Sequence, residues 1–145
     1  MAAVTERITI GQITTRFLIV GDEGAGSPSL FEFDVPAGAR VPMAHSHDGY
    51  EETIYGLEGI LGWTVGGVTT EVGPGEALFI PRGVVHRFEN LGDADATALA
   101  IVTPGILGPD YFRDVAAIID AAAGGPPDLA AMASVMRSHG LTPAP

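Results

Sequence analysis

Apolar and polar residues alternate along much of the chain from Arg7 to about Asn90, with the period of two that a half-buried strand requires. LFEFDV at 30–35 is the plainest case: Leu30, Glu32 and Asp34 fall on one face, Phe31, Phe33 and Val35 on the other. RITIGQITTRFLIV is rich in Ile, Thr, Val and Phe, which fit a pleated surface. GDEGAGSPS reads as a loop and PAGARVP as a turn into the next strand. ETIYGLEG, ILGWTVGG, VTTEVGPG, EALFIPRG and VVHRFENLG follow, each a short run that ends in Gly, Pro or Asn. Stops about every 8–12 residues predict an all-β sandwich or barrel. ATALAIVTP at 96–104 predicts one more strand.

After Pro104 the period changes. DYFRDVAAIIDAAA has apolar residues at 111, 112, 115, 118, 119 and 122, the stripe of an amphipathic helix, with Asp110 as its expected N-cap. GGPP breaks that helix. DLAAMASVMRSHG predicts a second short one, with Asp128 as N-cap, His139 in the last turn and Gly140 just past the end. The pattern divides the chain into a β-barrel domain over residues 1–104 and a C-terminal helical extension of the same domain over 105–145. Neither an internal repeat nor a second domain is expected.

Composition narrows the function classes. The net charge is -11, carried against 7 arginines and no lysine, so an anionic partner such as nucleic acid or a membrane surface is not expected. Cysteine is absent, which excludes disulfides, thiolate nucleophiles, zinc fingers and iron–sulfur clusters. MAAVTERITI lacks the basic and apolar regions of a signal peptide, and no apolar run is long enough to span a bilayer. A cytoplasmic protein is the expectation. GDEGAGS has no lysine to serve phosphate chemistry, and Ser27, Ser29 and Ser46 have no nucleophile context.

HSHDGYEE at 45–52 breaks the apolar pattern of its neighbours. On a strand, His45 and His47 share a face, so their imidazoles are able to converge on one ion. Such pairs also occur on exposed strands, and the spacing alone leaves that reading open. DGY reads as a tight turn, and Glu51 and Glu52 open the next strand with side chains on opposite faces. His86 follows the turn PRG. Met43, Phe79, Phe88, Tyr50, Tyr55 and Trp63 are candidate pocket residues; Met43 and Phe88 are favoured, each two residues from a histidine and on its face.

Two segments together resemble the cupin superfamily. HSHDGYEETIYGLEG has His-x-His, four residues, Glu, six residues, Gly, at His45, His47, Glu52 and Gly59. GEALFIPRGVVHRFEN has Gly75, Pro81, Gly83, His86 and Asn90 at the spacing of the second signature, and fifteen residues separate Gly59 from Gly75. The resemblance covers about residues 30 to 100. It departs at Gly38, which six residues rather than five separate from His45, and at Gly56, where a bulkier apolar residue is usual. If it faces inward, Gly56 leaves extra room in the barrel.

The resemblance implies a jelly-roll β-barrel with one divalent transition metal ion per chain (Fe, Ni, Mn, Co, Zn or Cu), which imidazole and carboxylate ligands suit. By it, His45, His47, Glu52 and His86 are the ligands, with His86 reaching the others from across the barrel. Spacing to Gly59 favours Glu52 over Glu51, and Glu52 is also a candidate base. A small-molecule ligand and a homodimer are implied, with the helical tail on its own barrel or on a partner. TPGILGPDYFRDV resembles the region after the barrel in quercetinase-like cupins. The first functional expectation is therefore a dioxygenase-type oxidoreductase acting on a small oxygenated or aromatic molecule. A metal-dependent isomerase or lyase, and a non-catalytic small-molecule binder, are the alternatives.

Overall fold

The computed structural model describes residues 6–21, 25–41 and 43–144. In chain order these form β1 (Glu6–Ile10), β2 (Ile13–Ile19), β3 (Ser29–Val35), β4 (His45–His47), β5 (Glu51–Glu58), β6 (Leu61–Val65), β7 (Val68–Val72), β8 (Ala77–Ile80), β9 (His86–Glu89), β10 (Ala96–Thr103), α1 (Pro109–Ala121), α2 (Leu129–Ser138) and β11 (Leu141–Pro143). Two antiparallel sheets face each other in a jelly roll. One runs β1-β2-β3-β10-β5-β8 and the other β11-β4-β9-β6-β7. Among the described residues no helix is long and apolar enough to cross a membrane.

The period-two pattern maps onto this core. In β3, Phe31, Phe33 and Val35 are buried while Leu30, Glu32 and Asp34 are only partly covered. β10 alternates the same way, with Ala96, Ala98, Ala100 and Val102 inside. On the outer face, Arg16 reaches the Asp34 carboxylate, which also accepts from the Thr97 hydroxyl at 2.9 Å. That neighbouring guanidinium holds the Asp34 carboxyl below the usual carboxylate range. Gly66 and Gly67 join β6 to β7 in two residues, at φ 57° and 83°, the left-handed pair that a tight hairpin needs and glycine tolerates.

Local details differ from the pattern reading in four places. The run from Arg7 to Val20 is a hairpin, β1 and β2, bent at Gly11–Gln12. α1 is capped by Gly108, not Asp110: Pro109 occupies the first helical position, where its missing N–H is no loss, and Asp110 lies in the first turn beside Arg113. His139 is the C-cap rather than part of the last turn of α2, while Asp128 caps its start by accepting from the Ala131 N–H. Gly56 opens no space. A Cβ there would sit 2.0 Å from the Gly73 carbonyl oxygen, because the β7–β8 turn folds against β5 through Gly56 N–H to Glu76 O and Gly75 N–H to Gly56 O.

The tail packs on its own barrel. Phe112 of α1 meets Phe17 and Phe31 edge-on at ring distances of 5.5 and 5.2 Å. It is not helical throughout: after α2 the chain forms β11, which pairs with β4.

Candidate metal centre

β4 places His45 and His47 on the inner face, their rings stacked at 5.2 Å. His86 opens β9 directly opposite His45, and its ring meets the other two edge-on at 4.8 and 4.5 Å. One donor atom from each of the three lies within 4.8 Å of the others. His86 therefore belongs to the same sheet as the pair, as a neighbouring strand, and does not reach from across the barrel. Glu52 does. DGY is not a hairpin turn but the crossover from β4 into β5, which lies in the opposite sheet. The Glu52 carboxylate approaches His86 Nε2 to 3.7 Å and stands beside the three-histidine group rather than within it.

The two adjacent glutamates part as strand geometry requires. Glu52 is buried and faces the gap between the sheets. Glu51 points out and pairs with Arg82 Nε at 2.9 Å.

Hydrogen bonding sets the state of the imidazoles. His45 Nδ1 lies 3.1 Å from the Met43 carbonyl, and His86 Nδ1 lies 3.0 Å from the Val84 carbonyl. A carbonyl only accepts, so both Nδ1 atoms carry hydrogen and both Nε2 atoms present a lone pair. This is how protein-bound imidazoles are usually oriented toward a metal. His86 Nε2 and His47 Nδ1 are buried with no hydrogen-bond partner, a cost that a cation bound at the cluster would offset at any nitrogen it touches. Burial pushes His45 down to about 3 and His47 down to about 2, and lowers His86 as well, so all three are neutral near pH 7. Burial also pushes Glu52 up to about 8. Three bare imidazoles with a carboxyl alongside fit a divalent transition metal and not an oxygen-seeking Ca or Mg site.

A cavity of about 100 Å³ opens onto the cluster. Phe33, Trp63 and Phe88 form its aromatic side, packed on one another with Phe33 and Phe88 stacked at 5.0 Å. Met43 and Phe88, favoured from the sequence, both line it. Tyr55 and Phe79 do not, being 41% and 57% exposed on the outside. Tyr50 lies behind the site, stacked on the His47 ring at 4.5 Å.

Sequence reasoning missed the other wall. Tyr111 and Val115 of α1, Met136 of α2 and Leu141 of β11 line the same cavity. The apolar stripe of α1 was visible, but nothing local tells which of its residues face a cavity and which a packed core.

The family described as "Cupin domain" matches residues 31–102, from β3 to β10. The tetracenomycin polyketide synthase protein TcmJ of Streptomyces glaucescens is 31% identical over 104 residues, 72% of this chain and 69% of that one. This chain is a cupin. Its fold also matches the solved structure of the polyketide cyclase RemF from Streptomyces resistomycificus, with a TM-score of 0.55 and 36% identity, covering 71% of this cupin and 72% of that chain. Quercetin 2,3-dioxygenase of Bacillus subtilis (strain 168) is 29% identical over 109 residues. That match takes in 74% of this cupin but spans only 28% of the dioxygenase. The four residues of the candidate site all fall within the matched domain.

Proposed function

We propose that this cupin is a metal-dependent enzyme acting on a small, oxygenated aromatic or polyketide-like molecule, and that its reaction is a ring closure or elimination that needs no O2. The observation that carries this reading is the junction of an aromatic-lined cavity with three neutral imidazoles and one buried carboxyl. His45, His47 and His86 would hold the ion, with the Glu52 carboxyl beside them from the opposite sheet. A metal held there would supply Lewis acidity.

Glu52 is the proton carrier. Its carboxylate takes a proton from a carbon next to a substrate carbonyl, and returns it to the hydroxyl that leaves as water. The Glu52 carboxyl is buried and lines the cavity beside His86, where a bound substrate can meet it. Phe33, Trp63 and Phe88 orient a flat ring by stacking and keep water out. The two relatives named for polyketide chemistry support this choice, each matched over about 70% of both chains.

The second reading, a dioxygenase, is favoured by the likeness to quercetin 2,3-dioxygenase. One experiment separates the two: turnover of an aromatic poly-β-carbonyl compound and of a flavonol by Ni(II)- or Fe(II)-loaded protein, with and without O2. Product formation under nitrogen supports the ring closure. Turnover only with stoichiometric O2 uptake overturns it in favour of the dioxygenase, and no turnover of either compound defeats both.

A further inference from the structure

β4, which carries His45 and His47, is three residues long and is weakly tied to its neighbour on the metal side. Among the described residues its registered pair with β9 is His45 with His86, and just before β9 the Gly83 N–H donates to His47 O at 2.8 Å. On its other edge lies β11, with Leu141 opposite His47, Thr142 opposite Ser46 and Pro143 opposite His45. Backbone bonds flank that ladder at both ends: Asp48 N–H donates to Gly140 O, and Ala144 N–H donates to Ala44 O, each at 2.9 Å. The Thr142 hydroxyl adds a bond to the Asp48 carboxylate at 2.7 Å.

The ladder's phase follows from those two bonds. Antiparallel pairs alternate between bonded and non-bonded, so 48/140 and 44/144 make 46/142 the bonded pair between them. Leu141 and Pro143 then sit at non-bonded positions, where facing side chains come closest. Pro143, with no N–H, costs the ladder nothing there. Leu141 is fully buried against the strand of His47 and lines the cavity.

We infer that β11, which lies some forty residues beyond the matched cupin domain, is a positioning element of the metal centre: its pairing with β4 fixes where the His45 and His47 imidazoles stand. The inference rests on the metal-centre reading above. Without β11, β4 keeps only its ties toward β9, the His45–His86 pair and the Gly83 N–H to His47 O bond, and loses every bond on its other edge, so the His45 and His47 imidazoles are less firmly set against His86. The cupin signatures contain the ligands, yet the segment that holds their strand comes from the far end of the chain.

The test compares wild type, a chain ended after His139, Thr142→Pro and Leu141→Ala, using Co(II) as the probe. Affinity is read by titration and coordination by the visible absorption of the bound ion. Far-UV circular dichroism checks the barrel. Ending the chain after His139, or removing the central ladder N–H with Thr142→Pro, weakens Co(II) binding about 10–100-fold, as loss of an outer orienting partner does, and alters the absorption bands. Leu141→Ala keeps the ladder but trims a side chain facing His47, so it weakens Co(II) binding less than Thr142→Pro does. If the shortened chain does not fold, Thr142→Pro decides. Wild-type affinity and spectrum in Thr142→Pro overturn the inference. So does an equal loss in Leu141→Ala, which would make cavity packing the cause. Absence of Co(II) binding by wild type defeats the metal-centre reading itself.

Discussion

Glu52 and His86 face each other between the two sheets, with Oε1 and Nε2 3.7 Å apart. That is too long for a hydrogen bond, and His86 Nε2 has no other partner. The bare imidazole nitrogen is thus short of a proton donor or a cation. The first expected outcomes concern that deficit.

His86→Ala or His47→Ala removes one imidazole from a group of three. Metal affinity falls by at least about 100-fold, beyond the effect of losing an outer orienting partner. The barrel stays folded, because neither side chain makes a side-chain hydrogen bond to another strand. Calorimetric titration and far-UV circular dichroism read the two effects separately.

The metal-free protein loses stability as pH rises from about 6.5 to about 8. Glu52 is the cause: burial pushes its carboxyl up to about 8, so the unfolded chain gives up this proton first and gains relative to the native state. The lowered histidines act in the opposite direction but only below about 6.5, where the unfolded chain takes up protons that the native state refuses. Above that value Glu52 acts alone of the four. Thermal unfolding across this window shows the decline in wild type, and Glu52→Gln abolishes it.

Val115→Phe extends a side chain of α1 into the cavity. Affinity for a flavonol or an aromatic polyketide falls roughly 10-fold, the scale on which a pocket registers an added group. Metal affinity is unchanged, since Val115 is apolar, belongs to α1 and is not one of the three clustered histidines. A fluorescence titration on metal-loaded protein measures the first and calorimetry the second.

Gly56→Ala destabilises the fold by about 3 kcal/mol or more, the upper range for overpacking, because the added Cβ meets backbone rather than a movable side chain. Denaturant unfolding gives the figure. A change within about 0.5 kcal/mol, the range of an unremarkable surface substitution, would place the Gly73–Pro74 turn elsewhere.

Much of the barrel was legible because local pattern and burial coincide. Phe31, Phe33 and Val35 alternate with polar residues because β3 has one wet face and one dry face. His45, His47 and His86 were legible because a strand's period puts i and i+2 together and the second signature supplies the third. What local pattern lacks is the partner of each strand. DGY has the composition of a hairpin turn, but the chain there crosses to the other sheet, which exchanged the positions expected for Glu52 and His86. β11 is three residues with a proline, below any periodic signal, and exists because β4 offers it an edge. The Gly56 contact is equally non-local, set by a turn seventeen residues on.

His45 and His86 are direct cross-strand partners, and this has a consequence for folding. Side chains alternate faces along a strand, so a slip of β9 by one residue against β4 would turn His86 to the outside and bring Val85 or Arg87 inward. The three-imidazole cluster exists in one register only. A metal ion held by all three imidazoles would therefore act as a proofreader of strand alignment, favouring correctly registered chains over the rest.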